Sequence, residues 1–248
     1  MRFAVRAAFA MAVAAAVFAG AAYAGPGIDG SLTGPLLSIT AIAEGKTAKW
    51  ELGWEQFPAL VNGKGSWSSP GVIELKDNGD LIASLNSINV FYDVDPSVQL
   101  NFSVTAGNTV TTFTFTSSTV VFTPLVNPVA TATAAVTVTD NNGNGVMLTG
   151  LLPGGKVYRA DTDLGNYALL VNGVSAAGMF QSNTANESLA GVINGTVSSI
   201  SSQFSFTLTP LDGASGTSSF TVVPEPGSLV ALGSALAGFA GLALRRRV

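Results

Sequence analysis

Hydrophobic and polar residues alternate through the middle of this chain. Val98, Leu100, Phe102 and Val104 interleave with Gln99, Asn101, Ser103 and Thr105, the two-residue period of a strand that buries one face. Residues 106–108, Ala-Gly-Asn, then predict a turn, and residues 110–122, rich in β-branched and aromatic side chains, predict a second strand that completes a hairpin. The alternation returns in Ala132, Ala134, Val136 and Val138 against Thr131, Thr133, Thr137 and Thr139, and in Phe204, Phe206 and Leu208 against Ser205, Thr207 and Thr209. Asn78-Gly79, Asn142-Gly143, Asn172-Gly173 and Asn194-Gly195 punctuate these runs as turn formers. Residues 210–219 read as a loop before a last strand at 220–223. No stretch between the two ends of the chain carries a capped 3.6-residue period. Short strands with polar outer faces predict an all-β fold, an antiparallel β-sandwich or jelly roll, over residues 25–222. Lys46, Lys49, Lys64 and Lys76 are candidates to guard its edge strands.

The pattern changes at both ends. Arg2 and Arg6 precede an unbroken apolar stretch from Ala7 to Ala19, and Ala22-Tyr23-Ala24 supplies the small-x-small pattern cut by signal peptidase. Residues 1–24 are therefore expected to be a signal peptide, with cleavage between Ala24 and Gly25. At the other end, residues 223–226 read Val-Pro-Glu-Pro, residues 228–244 are apolar, and Arg245, Arg246 and Arg247 follow. A helix over that apolar run is about 25 Å long, at the lower limit for a hydrocarbon core of about 30 Å. The arginines place the cytoplasmic side after the span, as a stop to transfer. Pro224 and Pro226 hold the preceding segment extended. Gly233, Ala237 and Gly241 fall four apart on one helical face, a small-xxx-small stripe suited to close packing with another membrane helix.

The order Pro224-Glu225-Pro226, apolar span and arginine cluster over residues 223–248 resembles the PEP-CTERM sorting signal of Gram-negative bacteria. Such tails have also been catalogued as an ice-binding protein C-terminal domain. The resemblance implies that an exosortase in the inner membrane recognises Pro224, Glu225 and Pro226 and processes the chain near them. It further implies a membrane-anchored precursor that reaches the cell surface or extracellular space, with a structural role in exopolysaccharide or biofilm. The expected partners are thus signal peptidase, exosortase, the inner membrane before processing, and exopolysaccharide.

Charge and composition narrow the chemistry of the body. Of the 11 Lys and Arg residues, five lie in the two ends and six between 25 and 226, where all 15 acidic residues also lie, so the processed body carries a net charge of about −9. An acidic surface of that kind disfavours nucleic acid as a partner. The chain has no cysteine and no histidine, which excludes disulfides, thiol nucleophiles, Ser-His-Asp triads and the usual zinc sites. No catalytic residue and no cofactor is expected, and the body is read as non-enzymatic.

Four features of the body are candidates for function. Trp50, Trp54 and Trp67 all fall within 18 residues; on a strand, Trp50, Leu52 and Trp54 share one face opposite Lys49, Glu51 and Glu55. Exposed, these rings would form a carbohydrate-binding surface for exopolysaccharide; buried, they supply core area. Asp140, Asn142 and Asn144 followed by Gly145 match the first half of a calcium loop, but the twelfth position is Leu151 in place of the bidentate glutamate, and a polar turn explains the same residues. Thr112, Thr114 and Thr116, with Thr131, Thr133, Thr137 and Thr139, line up as threonine faces like those of ice-binding proteins, or as ordinary solvated strands. The pairs Asp77/Asp80, Asp93/Asp95 and Asp161/Asp163 supply the carboxylates that a glycosidase-type enzyme would need, in positions that also suit surface turns.

Overall fold

The computed structural model describes residues 31–224. The expected signal peptide and C-terminal membrane helix lie outside the described residues. Fifteen strands follow one another among the described residues. The first five are β1 (Ser31–Ala43), β2 (Lys46–Leu52), β3 (Lys64–Ser68), β4 (Ile73–Asp77) and β5 (Asp80–Asp93). Next come β6 (Ser97–Ala106), β7 (Thr111–Val126), β8 (Val129–Thr139), β9 (Val146–Gly150) and β10 (Lys156–Thr162). The last five are β11 (Gly165–Asn172), β12 (Val174–Ala176), β13 (Ser182–Val192), β14 (Thr196–Leu208) and β15 (Gly213–Val223). The helical content among these residues is two single 3-10 turns, at Trp54–Gln56 and Pro153–Gly155.

All pairings are antiparallel, and the strands divide into two sheets packed as a sandwich. Sheet A runs β11-β10-β14-β7-β1-β2, with β9 joining β14 to β12; sheet B runs β13-β8-β15-β6-β5-β3, with β4 also on β5. The core lies between them, because alternate residues of each strand turn inward: Val98, Leu100, Phe102 and Val104 from sheet B are buried, as are Phe113, Phe115, Phe204 and Phe206 from sheet A. Phe102 is the meeting point. Its ring stacks on Phe115 at 4.2 Å between centroids and meets Phe204 edge-on at 5.0 Å. Burying one such side chain contributes about 1.5–3 kcal/mol, and aromatic pairing adds roughly 0.5–1.5 kcal/mol. Room for Phe102 comes from Gly216, its register partner on β15; a Cβ there would stand 2.5 Å from the ring.

A tyrosine ties the sheets together where their ladders slip. The β1–β7 register shifts between Thr33 and Leu37, an irregularity that leaves backbone groups without ladder partners. Tyr92, fully buried on β5, reaches across the core, donates its hydroxyl hydrogen to Leu36 O and accepts from Ser118 N at 2.9 Å. Ser118 Oγ donates to Thr33 O at 2.8 Å. The sheet A bulge is thereby satisfied by a side chain of sheet B.

Three local expectations are corrected. Residues 98–105 and 110–122 do not form a hairpin: β6 pairs with β5 and β15 in sheet B, and β7 pairs with β1 and β14 in sheet A. The turn between them carries the chain over the rim, since both inner faces then bury their alternate apolar residues in one core. Residues 210–219 are not a long loop; β15 starts at Gly213 and occupies the middle of sheet B, where Gly216 yields space and Ser215, Thr217 and Ser219 face outward. Trp54 does not continue the strand of Trp50, because β2 ends at Leu52 and a 3-10 turn begins. Asn78-Gly79, in contrast, makes the two-residue hairpin turn between β4 and β5, with φ of 50° and 92°.

Candidate functional site

The C-terminal junction is abrupt. β15 is held on one side by β8 through Val223 and on the other by β6 through Thr221, and Val222 N donates to Pro96 O at 3.0 Å. Pro224 follows at once and is exposed. Glu225, Pro226, Arg245, Arg246 and Arg247 lie outside the described residues, as do Ala22, Ala24 and Gly25. Pro224, the first residue of the Pro-Glu-Pro tripeptide, thus follows the central strand of sheet B with no spacer.

The tryptophans divide. Trp50 on β2 of sheet A and Trp67 on β3 of sheet B approach each other at the open side of the sandwich, with centroids 5.6 Å apart and planes tilted by 32°. Both are half-buried and pack on the core. Trp54, in its 3-10 turn, is 50% exposed. The arrangement closes the sandwich with two rings and leaves one outside it, so the three do not share a platform. Beside them, the Lys49 ammonium lies 2.7 Å from Glu51 and holds its carboxyl below the usual range.

Asp140 organises the loop after β8. Its Oδ1 accepts from Asn142 N at 3.2 Å and Gly143 N at 2.8 Å; its Oδ2 accepts from Gly145 N at 3.1 Å and Phe180 N at 2.8 Å. Burial raises its pKa and the four N–H groups lower it, with the donors prevailing, so the carboxyl ionises below the ordinary aspartate range. Asn142 Oδ1 accepts from Asn144 N, and Asn142 Nδ2 donates to Pro210 O. The Asp140 carboxylate and Asn142 Oδ1 are thus committed to the backbone, and among the described residues no cluster of three His, Cys, Asp or Glu side chains is placed to hold a metal.

The acidic pairs are likewise spent locally. Asp77 and Asp80 flank the β4–β5 turn, where Asp77 accepts from Thr47 N and Asp80 meets Lys46. Asp93 holds Lys64 at 2.8 Å and accepts from Asp95 N. Asp161 lies 2.6 Å from Arg159, while Asp163 accepts from Ser198 N. Asp77, Asp80, Asp93, Asp161 and Asp163 each join neighbouring backbone or a lysine or arginine.

Sheet B supplies a feature that strand-by-strand reading missed. Its outer face carries Ser182, Thr184, Asn186 and Ser188 from β13, then Thr131, Thr133, Thr137 and Thr139 from β8, and equivalent Ser, Thr, Asn and Gln residues of β15 and β6. Neighbouring hydroxyls bond across strands, Thr137 to Thr184 at 2.7 Å and Thr139 to Ser182 at 3.0 Å. No charged side chain interrupts these four strands on that face, in a body with a net charge of about −9. Ala135 breaks the threonine row, and around it lies a shallow depression of about 420 Å³ lined by Gln99, Asn101, Thr133, Asn186, Glu187 and Thr217 among others. Thr112, Thr114 and Thr116 lie separately, on the outer side of sheet A. The signal in the sequence was the absence of charge at alternate positions of four strands, visible only once their register is known.

Residues 222–247 match the family model of the PEP-CTERM protein-sorting motif. The match begins inside β15 and takes in Pro224, Glu225 and Pro226. No curated protein matches the chain. Among solved structures, the chain is similar to one from the infectious bursal disease virus Gx strain, at 10% identity over 79% of this chain and 69% of that one, with a TM-score of 0.22. A second, from the Gt strain of the same virus, has 11% identity over 77% of this chain and 64% of that one, with a TM-score of 0.20. The motif marks an exported protein whose membrane-anchored precursor is addressed to an exosortase.

Proposed function

We propose that this exported, exosortase-addressed chain delivers a non-enzymatic β-sandwich to the cell surface or extracellular matrix, where it is a structural component of exopolysaccharide or biofilm. One observation carries the reading: the sorting motif follows the central strand of sheet B directly, so processing leaves a body whose sheet B face is rich in hydroxyls. Signal peptidase and exosortase act on residues 1–24 and 223–248, and the body between them is the delivered part. Replacing Pro224, Glu225 and Pro226 with alanine leaves a membrane-held precursor of full mass, whereas the native chain appears processed in the matrix fraction. Processing and release of the triple variant at the native rate would sink the sorting role.

A second reading, a carbohydrate-binding module for exopolysaccharide, is favoured by the depression on sheet B, rich in hydroxyls and amides, more than by the tryptophans. Its hydroxyls and amides both donate and accept, as a sugar chain requires, while Trp50 and Trp67 are occupied with each other. Affinity electrophoresis in a neutral polysaccharide gel should retard the mature protein, and the Asn101→Ala/Asn186→Ala double variant should lose most of that retardation. Retardation abolished instead by Trp54→Ala returns the site to the tryptophans; no retardation of the native protein removes this reading.

A further inference from the structure

The edges of the two sheets are treated unequally. At one side of the sandwich, β2 carries Lys46, Lys49 and Glu51, β3 is five residues long with Lys64, and β4 is five residues long with Glu74, Lys76 and a register shift. Charge, shortness and irregularity are the devices that keep edges from pairing with other chains. At the opposite side, β11 is blunted by Glu187, whose carboxylate accepts from Val171 N where that residue turns to φ 62°. β13 is guarded least, by a single inward-turned charge. It runs eleven residues in unbroken register with β8, contains no proline, and its one charge, Glu187, turns inward to Lys156 at 2.8 Å.

The free side of β13 can be read from its ends. Gln181 O accepts from Asp140 N and Ile193 N donates to Pro128 O, both towards β8. Ladder bonds alternate along a strand, so odd-numbered residues bond β8 and even-numbered ones, Ser182 to Val192, turn their backbone groups outward. Thr184 N accordingly meets only Asn183 Oδ1, at 2.9 Å. No strand of the described residues pairs on that side.

We propose that β13 is a self-association edge, at which two copies of this chain pair antiparallel about a two-fold axis through Asn186 and join their B sheets into one. Three observations select a second copy as the occupant. Twelve charged residues lie between Glu44 and Asp95, on β2 to β5 and their connections, so two acidic bodies that meet at β13 place that charge as far apart as the fold allows. Exposed apolar residues sit at both ends of the strand, Met179 and Phe180 before it and Leu189 and Val192 at its close; antiparallel pairing about Asn186 sets Phe180 of one copy opposite Val192 of the other. The same register places Glu187 opposite Ala185 and avoids facing it with its own copy.

The absence of cysteine makes the test direct. In a bonded antiparallel pair the Cα atoms lie about 5.5 Å apart, within disulfide range, so mature Asn186→Cys protein should cross-link on oxidation to twice its mass. Ser182→Cys should remain single, since its counterpart is then about 27 Å away at roughly 3.3 Å per residue. Native mature protein should sediment as a dimer. Ser188→Pro, which removes an outward N–H that β8 does not use, should sediment as a monomer with unchanged melting, as should Asn186→Lys if the proline variant fails to fold. A monomeric native protein, a dimer that persists in both variants, or Asn186→Cys that stays uncross-linked overturns the proposal.

Discussion

Tyr92 shows how much one hydroxyl carries in this body. It satisfies Leu36 O and Ser118 N, two buried backbone groups on different strands of the opposite sheet. Tyr92→Phe keeps the ring and its packing but leaves both groups unpaired, and should cost about 1–3 kcal/mol in denaturant unfolding; a loss below a few tenths would mean that water takes the role. Burial also pushes the Tyr92 hydroxyl well above the usual tyrosine pKa and the Tyr158 hydroxyl up to about 12. A group whose pKa is raised by folding stabilises fully below its unfolded value and loses that contribution as pH climbs through the folded one. Stability should therefore hold to about pH 10 and fall steeply towards pH 12, with a shallower fall in Tyr92→Phe. Asp140 acts in the opposite sense, because its depressed pKa supports the fold above the ordinary aspartate range and is lost on acidification.

At the scale of elements, the alternating strands were legible and their neighbours were not. Val98 to Val104, Ala132 to Val138 and Phe204 to Leu208 are strands in the structure because a period of two is a local property. The sheet to which each belongs depends on which inner faces complete the core, and nothing in residues 106–108 distinguishes a hairpin from a crossing between sheets. The loop expected over 210–219 misled for a related reason: Gly, Ser and Thr are turn formers in isolation, yet Gly216 is there to admit Phe102 and the serines are the solvated half of a central strand. Gly216→Val should overpack that spot and destabilise by roughly 1–3 kcal/mol, measured by urea unfolding; an unchanged midpoint would show that Phe102 has room to move. The candidate sites were legible as residues and not as arrangements. Asp140, Asn142 and Asn144 look like ligands until four backbone N–H groups are seen to occupy the carboxylate, and the neutral face of sheet B has no counterpart in any single stretch of sequence.

Taken whole, the molecule has a charged side at β2 to β4, its least guarded side at β13, and an exit for the C-terminal tail between them. That exit bears on how the body responds to force. A pull on the segment after Val223 enters through β15, which is zipped to β8 over eleven register pairs and to β6 over nine. A load along the strand axis shears both ladders together instead of peeling them one bond at a time. While the precursor is held by its tail, the tether is therefore fastened to a strand gripped on both sides and not to an edge.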